Sequence, residues 1–564
     1  MTLDCEGGAR NVACEPTSGL GLPDMTLSKA EDWWRGAVIY QIYPRSFQDT
    51  NGDGIGDLNG ITRRLGYVAD LGVDAIWISP FFVSPMKDFG YDVADYTDVD
   101  PIFGTLADFD ALVTKAHRLG LKVIIDQVLS HTSDQHPWFA ESRADRTNPR
   151  ADWYVWADPN PDGTPPNNWL SIFGGSAWQW DTRRRQYYFH NFLVEQPDLN
   201  FHNPDVQDAM LEAVEFWLKR GVDGFRLDTA NFYFHSQTLR SNPPTTVTSA
   251  DVLALNPYGM QDHIYDKSQP ENLEFLKRLR ALLDKHDAAT TVGEVADGPR
   301  GLQTIAAYTA GGDKLHMCYT FDFLGPNFTA RHFRENAEAF EAVVKDGWAC
   351  WAFSNHDVIR HASRWGAWGD KDTLVRLAIA ILLSLRGSVS LYEGEELGLT
   401  EANLSFEDLV DPYGIVFWPE FKGRDGCRTP MVWEAKARNG GFSTAKPWLP
   451  VPAEHLALAA DTQTSDETSV LAHYRRLLAF RRNHPALRTG TIRFLDAPED
   501  VLAFARLGGG EEIVCLFNLG KTKARVAAPG VLTPLDGTGF TPALDAAGRT
   551  VTLQPGDAFF GLLT

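Results

Sequence analysis

Short, nearly unbroken apolar runs recur along this chain, and segments with apolar spacing near 3.6 lie between them. The runs are 36–44, 73–80, 122–128, 222–228, 290–295, 315–323, 350–357 and 389–396. Uninterrupted apolar character suits parallel strands covered on both faces. The intervening stretches 106–119, 206–218 and 273–283 repeat apolar residues as one face of a helix does. Strands alternating with helices predict a parallel sheet, and eight such units predict a closed (β/α)8 barrel.

Two departures from the alternation divide the chain further. About seventy residues rich in Trp, Tyr, Asn, Gly and Pro separate His131 from Pro204. A connection that long carries structure or function of its own. It is read as an inserted domain, 131–203, beside the mouth of the barrel. The connection after Asp228, running to about residue 270, is expected to roof the same mouth. Past the helical stretch 470–481 the pattern shortens to alternating runs at 501–507 and 512–518, separated by Gly and Pro. That texture predicts an all-β sandwich over 487–564. The barrel is expected to span 29–130 and 204–486, and 1–28, without periodicity, to form a flexible tail.

Composition narrows the partners. The chain has 564 residues, 44% of them apolar, and a net charge of −22. That charge argues against nucleic acid and anionic membranes. Six scattered cysteines lack metal-ligand spacing and suit a reducing, cytoplasmic setting. No apolar run reaches membrane-spanning length, and 374–385 reads as a buried helix. Oligomeric state is not legible.

Four strand-like runs end in ionisable residues, in order: Asp126-Gln-Val-Leu-Ser-His131, Gly224-Phe-Arg-Leu-Asp228, Val292-Gly-Glu294 and Ser354-Asn-His-Asp357. The C-terminal ends of barrel strands meet at one mouth, where catalytic groups collect. Three carboxylates there, Asp228, Glu294 and Asp357, suit sugar-acetal chemistry. Arg226 and Asp228 are two apart and share a face. The guanidinium is expected to lower the Asp228 pKa and hold it ionised as a nucleophile, unless the two are only a structural ion pair. Burial among like charges is expected to raise Glu294 into the range of a general acid. His131 and His356 read as donors to sugar hydroxyls, Phe173 and Phe192 as platforms for a sugar face or as core.

Asp49-Thr-Asn51-Gly-Asp53-Gly-Ile-Gly-Asp57 places oxygen-bearing side chains at even spacings around Gly54. It suits a structural Ca²⁺, with Mg²⁺ as the other choice, or an Asx-rich turn. The twelfth position is Gly60, where an EF-hand needs Glu. No organic cofactor is expected.

Together these segments resemble the alpha-amylase family of glycoside hydrolases from about residue 30 to the end. Gln196-Pro-Asp-Leu-Asn200 and Gly423-Arg-Asp-Gly-Cys-Arg-Thr-Pro-Met431 resemble motifs of its oligo-1,6-glucosidase and alpha-glucosidase branch. The resemblance implies Asp228 as nucleophile, Glu294 as acid/base and Asp357 as transition-state stabiliser. It implies Arg226, His131 and His356 around a non-reducing glucose, and Asp88 and Tyr91 at its far end. It also implies Arg424 paired with Asp88 to close the pocket for exo-action, and a calcium loop that includes the carbonyl of Ile55. Thr229 after the nucleophile implies α-1,4 rather than α-1,6 substrates, disaccharides such as maltose, with water or a sugar as acceptor. Ser130 stands where the family has Asn, and Glu393 where the branch often has Gln, a change the sequence alone leaves without a physical account. The alternatives are a sucrose- or trehalose-isomerising or hydrolysing relative and, more remotely, a non-catalytic glycosidase-like subunit.

Overall fold

The computed structural model describes residues 32–247 and 255–564; the expected tail, 1–28, lies outside the described residues. Eight strands form the central sheet: β1 (Val38–Ile42), β2 (Ala75–Ile78), β3 (Lys122–Gln127), β4 (Gly224–Leu227), β5 (Thr290–Glu294), β6 (Met317–Tyr319), β7 (Cys350–Ala352) and β8 (Ser388–Tyr392). Their order is β6-β5-β4-β3-β2-β1-β8-β7, every pairing parallel. A parallel bridge from Cys318 to Ala349 joins the two ends and closes the ring.

Side chains alternate between two buried environments, as the period of a strand requires. Ile39, Ala75, Trp77, Ile124, Val292, Met317 and Cys350 fill the inside of the ring. Their neighbours, among them Val38, Ile76, Val123, Phe225 and Leu227, pack outward on the helices. The same parity turns Asp126, Arg226, Asp228, Glu294 and Tyr319 inward. Gly293 faces out, where a Cβ would lie 2.6 Å from Leu315 and 2.9 Å from Cys318.

The outer helices start where the polar code allows. Leu106–Arg118 opens with a reciprocal capping box between Thr105 and Asp108 and buries Phe109, Leu112, Val113 and Ala116. Pro204–Lys219 begins with proline in its first turn behind an Asn203 cap. Among the described residues no helix is long and apolar enough to cross a membrane.

Between β3 and β4 a three-stranded antiparallel sheet forms from Trp156–Ala157, Trp178–Asp181 and Gln186–Phe189. Trp169 and Trp178 stack at 5.7 Å in its small core. The segment after β4 packs on this insertion through Asn168 Nδ2 to Asn242 O (2.9 Å) and Asn256 Nδ2 to Ile172 O (2.7 Å). The C-terminal region holds a five-stranded and a three-stranded antiparallel sheet. Val501, Ala503, Val514 and Leu516 line the core between them, while Leu502, Phe504, Ile513 and Cys515 join the main core of the protein.

Candidate active site

The mouth of the barrel is organised by one buried cation. Arg226 is 1% exposed and its two terminal nitrogens each hold two partners. Nη1 donates to Asp126 Oδ1 at 2.9 Å and to Asp228 Oδ1 at 2.7 Å. Nη2 donates to Glu294 Oε2 at 2.5 Å and to the Tyr319 hydroxyl at 2.8 Å. The guanidinium lies 5.0 Å from the Trp77 ring centroid. Four neighbouring strands thus converge on one side chain, with Asp228 and Glu294 beside each other on adjacent nitrogens.

One guanidinium cannot neutralise three carboxylates. Burial pushes Asp228 up to about 7 and Glu294 up to about 7, with Arg226 opposing the rise in both. Asp126 is pushed up to about 6 for the same reason. The expectation that Arg226 would depress Asp228 is therefore corrected. The cation is shared and the site is dry, so desolvation outweighs the ion pair. The pair Asp228 and Glu294 retains a proton near neutrality.

Asp357 behaves in the opposite way. Its Oδ1 accepts from Arg428 Nη2 at 2.9 Å and from Arg424 Nη1 at 3.2 Å, and His356 stands 3.2 Å from Oδ2. Desolvation opposes its charge, but neighbouring His356 and the guanidiniums of Arg424 and Arg428 hold it well below the usual carboxylate range. Arg428 Nε also donates to His356 O at 2.7 Å, which fixes the turn that presents Asp357.

The histidines are neutral by burial: His131 is pushed down to about 4 and His356 lies well below its ordinary value. A directed chain orients His356. Gln41 Nε2 donates to Nδ1 at 2.7 Å, Nε2 meets the Tyr91 hydroxyl at 2.6 Å, and that hydroxyl donates to Asp126 at 3.0 Å. His131 accepts from Ser130 Oγ at 2.8 Å and places Nε2 3.1 Å from Tyr91 O. Ser130 also stands 3.3 Å from Thr229 Oγ1, which is 3.3 Å from Asp228 Oδ2. The serine thus reaches both a histidine and the residue next to Asp228.

The far wall comes from loops. Asp88 Oδ1 accepts from Arg424 Nη2 at 2.9 Å, and Asp88 Oδ2 from Gln196 Nε2 at 3.2 Å. Asp411 grips the other edge of Arg424, with contacts at 2.8 and 3.1 Å. Phe173 lies under this guanidinium at 5.2 Å, and Phe192 packs against His131 at 5.1 Å. Twelve residues expected here (Asp88, Tyr91, His131, Phe173, Phe192, Arg226, Asp228, Thr229, Glu294, His356, Asp357 and Arg424) are joined by these contacts into one continuous set. Asp126, Tyr319, Asp411 and Arg428 join them and were not anticipated. Of these, Asp126 carried a signal as an acidic residue on the inward parity of an apolar strand, and Arg428 lies within the Gly423 to Met431 motif.

Glu393 acquires a physical account. It is fully buried, its Oε2 accepts the Tyr43 N–H at 2.9 Å, and burial holds its carboxyl well above the ordinary range. Its enclosure thus favours the uncharged form over the charged one.

The Asp49–Asp57 loop lies apart. Gly52 and Gly54 take φ of 81° and 91°, and a Cβ on Gly54 would lie 2.0 Å from Lys446 O. Asp49 accepts amides from Gly52 and Gly54 and the Ser443 hydroxyl; Asp53 accepts from Ile55 N, and Asp57 caps the helix Leu58–Leu71. Among the described residues no three His, Cys, Asp or Glu side chains gather as metal ligands. The donor set of Asp49, Asn51, Asp53, Asp57 and the Ile55 carbonyl is entirely oxygen, which is the chemistry a hard cation takes.

The family profile described as "Alpha amylase, catalytic domain" matches residues 41–490. The chain belongs to the alpha-amylase family. A probable alpha-glucosidase of Rhizobium meliloti (strain 1021) is 60% identical over 555 residues, 97% of this chain and 99% of its own. The crystal structure of XgtA, an alpha-glucosyl transfer enzyme, has a TM-score of 0.92 at 56% identity, covering 94% of this chain and 99% of that one. The trehalulose synthase MutB from Pseudomonas mesoacidophila MX-45 has a TM-score of 0.84 at 32% identity, covering 94% and 99%. This member of the family is a glycoside hydrolase of the α-glucosidase type.

The raised carboxyls of Asp228 and Glu294 have a consequence for stability. The folded state holds their protons more tightly than the unfolded chain, whose values are 3.8 and 4.5. Stability from this source is complete below those values and is lost as pH rises through about 7. Glu294→Gln removes one such group. Between about pH 5 and about pH 8 the variant's stability relative to the parent should rise by about 1–3 kcal/mol. Melting curves of both proteins at the two pH values check this; a pH-independent difference would contradict it.

Proposed function

We propose that the protein is a retaining, exo-acting α-glucosidase for short substrates, with capacity to transfer the glucosyl unit to sugars or alcohols. The observation that carries the reading is the seating of Asp228 and Glu294 on adjacent nitrogens of Arg226. Side-by-side placement suits the separation of roughly 5–5.5 Å that retention requires. The proton they retain near neutrality supplies the acid. Glu294 protonates the glycosidic oxygen while Asp228 forms the bond to the anomeric carbon, and the aglycone leaves with the proton. Glu294 then takes a proton from water or another hydroxyl, which displaces Asp228 and restores the α-configuration. Asp357, held ionised by its arginines, bonds the sugar hydroxyls, and His131, His356 and Tyr91 surround the same ring. The Asp88–Arg424–Asp411 cluster ends the pocket, which supports action on a terminal unit.

The α-1,4 preference rests on Thr229, which presents a small polar side chain beside Asp228. Initial rates on maltose, isomaltose, sucrose and trehalose should be highest with maltose. Thr229→Val should shift the isomaltose-to-maltose ratio upward by about tenfold. Likeness to a trehalulose synthase keeps sucrose isomerisation as the competing outcome. Isomerised sugar with little free glucose would establish that outcome and overturn hydrolysis.

We further propose that the Asp49, Asn51, Asp53, Ile55 and Asp57 oxygens hold one divalent cation, Ca²⁺ or Mg²⁺, as a structural brace between this loop and the 443–447 segment. Metal analysis of the purified protein should find about one ion per chain, lost on Asp53→Ala with a lowered melting temperature. A loop that stays empty in excess calcium and magnesium would refute it.

A further inference from the structure

Asn231, three residues past Asp228, is fully buried. Its side-chain amide meets the Ala296 peptide from both sides. Oδ1 accepts the Ala296 N–H at 3.2 Å, and Nδ2 donates to Ala296 O at 3.1 Å. Nδ2 also donates to Ser268 Oγ at 2.9 Å, and the Asn231 carbonyl accepts the Ser268 N–H at 2.7 Å. Lys267 Nζ reaches the same Ala296 carbonyl at 2.8 Å. Ala296 lies two residues past Glu294. Between these anchors the Ala230 N–H donates to Glu294 O at 2.8 Å, and the Thr229 N–H donates to Glu294 Oε2 at 3.0 Å. Residues 229–231 are therefore fastened to residues 294–296 at three consecutive positions.

The fastening opposes strain. Thr229 has φ of 40°, in the left-handed region that a β-branched residue avoids. Such a conformation is costly and persists only when its surroundings hold it. This turn aims the Thr229 N–H at the Glu294 carboxylate. With Oε2 taken by Arg226 and Thr229, Oε1 carries neither bond.

We propose that Asn231 is a positioning residue for the acid/base: by pinning the Ala296 peptide it holds the strained Thr229 turn, keeps the Thr229 N–H on Glu294 Oε2, and leaves Oε1 to face the glycosidic oxygen. This rests on the assignment of Glu294 as the acid. The test compares two substrates in the full-length protein. A nitrophenolate leaves without help from an acid, whereas the sugar leaving group of maltose needs protonation. Asn231→Ala should lower kcat/KM on maltose about 10–100-fold and on nitrophenyl α-glucoside about threefold or less. The basic limb of the maltose profile should move to higher pH, because a donor that favours charged Glu294 is weakened. Equal losses on both substrates with an unmoved basic limb would overturn the proposal. If Asn231→Ala does not fold, Ser268→Ala removes one bond of the clamp and should give a smaller split in the same direction; no split there overturns it equally. Glu294→Gln is the control. A split in Glu294→Gln without one in the Asn231 variant rejects this inference alone. No split in Glu294→Gln rejects the acid assignment, and the inference with it.

Discussion

A single buried guanidinium sets the terms for the rest of this site. Arg226 enters the barrel on the inward parity of β4 and binds groups from β3, β5 and β6 as well as Asp228 beyond its own strand. A buried cation needs partners, and buried carboxylates need a cation. The barrel satisfies both needs by bringing its strand ends together at one point. The consequence is geometric as well as electrostatic. Two carboxylates on adjacent nitrogens of a rigid planar fork are held side by side, so the spacing of Asp228 and Glu294 is set by the arginine rather than by two independent loops.

The three family carboxylates occupy two electrostatic settings. Asp228 and Glu294 share one cation with Asp126 and lie in a dry environment, so both rise to about 7. Asp357 sits between Arg424 and Arg428 and falls well below the usual range. Division of labour follows from the ratio of cations to anions in each setting. Asp357 has two arginines, and Asp228 and Glu294 have one between them, which matches the roles proposed for them. Maintaining that pair costs stability at neutral pH, and the strained Thr229 turn adds to the cost. Both are features expected where structure serves chemistry.

Much of this was legible in the sequence because its signals are local. All eight barrel strands show as apolar runs, and the inward parity of Arg226 and Asp228 follows from their spacing alone. What escaped depends on distance along the chain. Tyr319 lies 93 residues from Arg226 and Asp126 lies 100, and nothing near either residue marks the contact. Asp411 and Arg428 lie in irregular segments after β8, where no period indicates direction. The direction of the Asp228 shift was misjudged for a related reason. Its near neighbour Arg226 is visible in sequence, but the burial that outweighs it and the two other carboxylates that share it appear only in three dimensions. Glu393 is similar, since the enclosure that raises its carboxyl is not revealed by the motif.

The central claim is that Arg226 presents Asp228 as the attacking carboxylate and Glu294 as its proton partner. The most direct test is to trap the intermediate with a slow fluorinated α-glucosyl donor and map the labelled peptide by mass spectrometry. The account predicts one glucosyl unit esterified to Asp228, and no labelling in Asp228→Asn. A label on Glu294 or Asp357, or turnover without any covalent adduct and with inversion at the anomeric carbon, would contradict it.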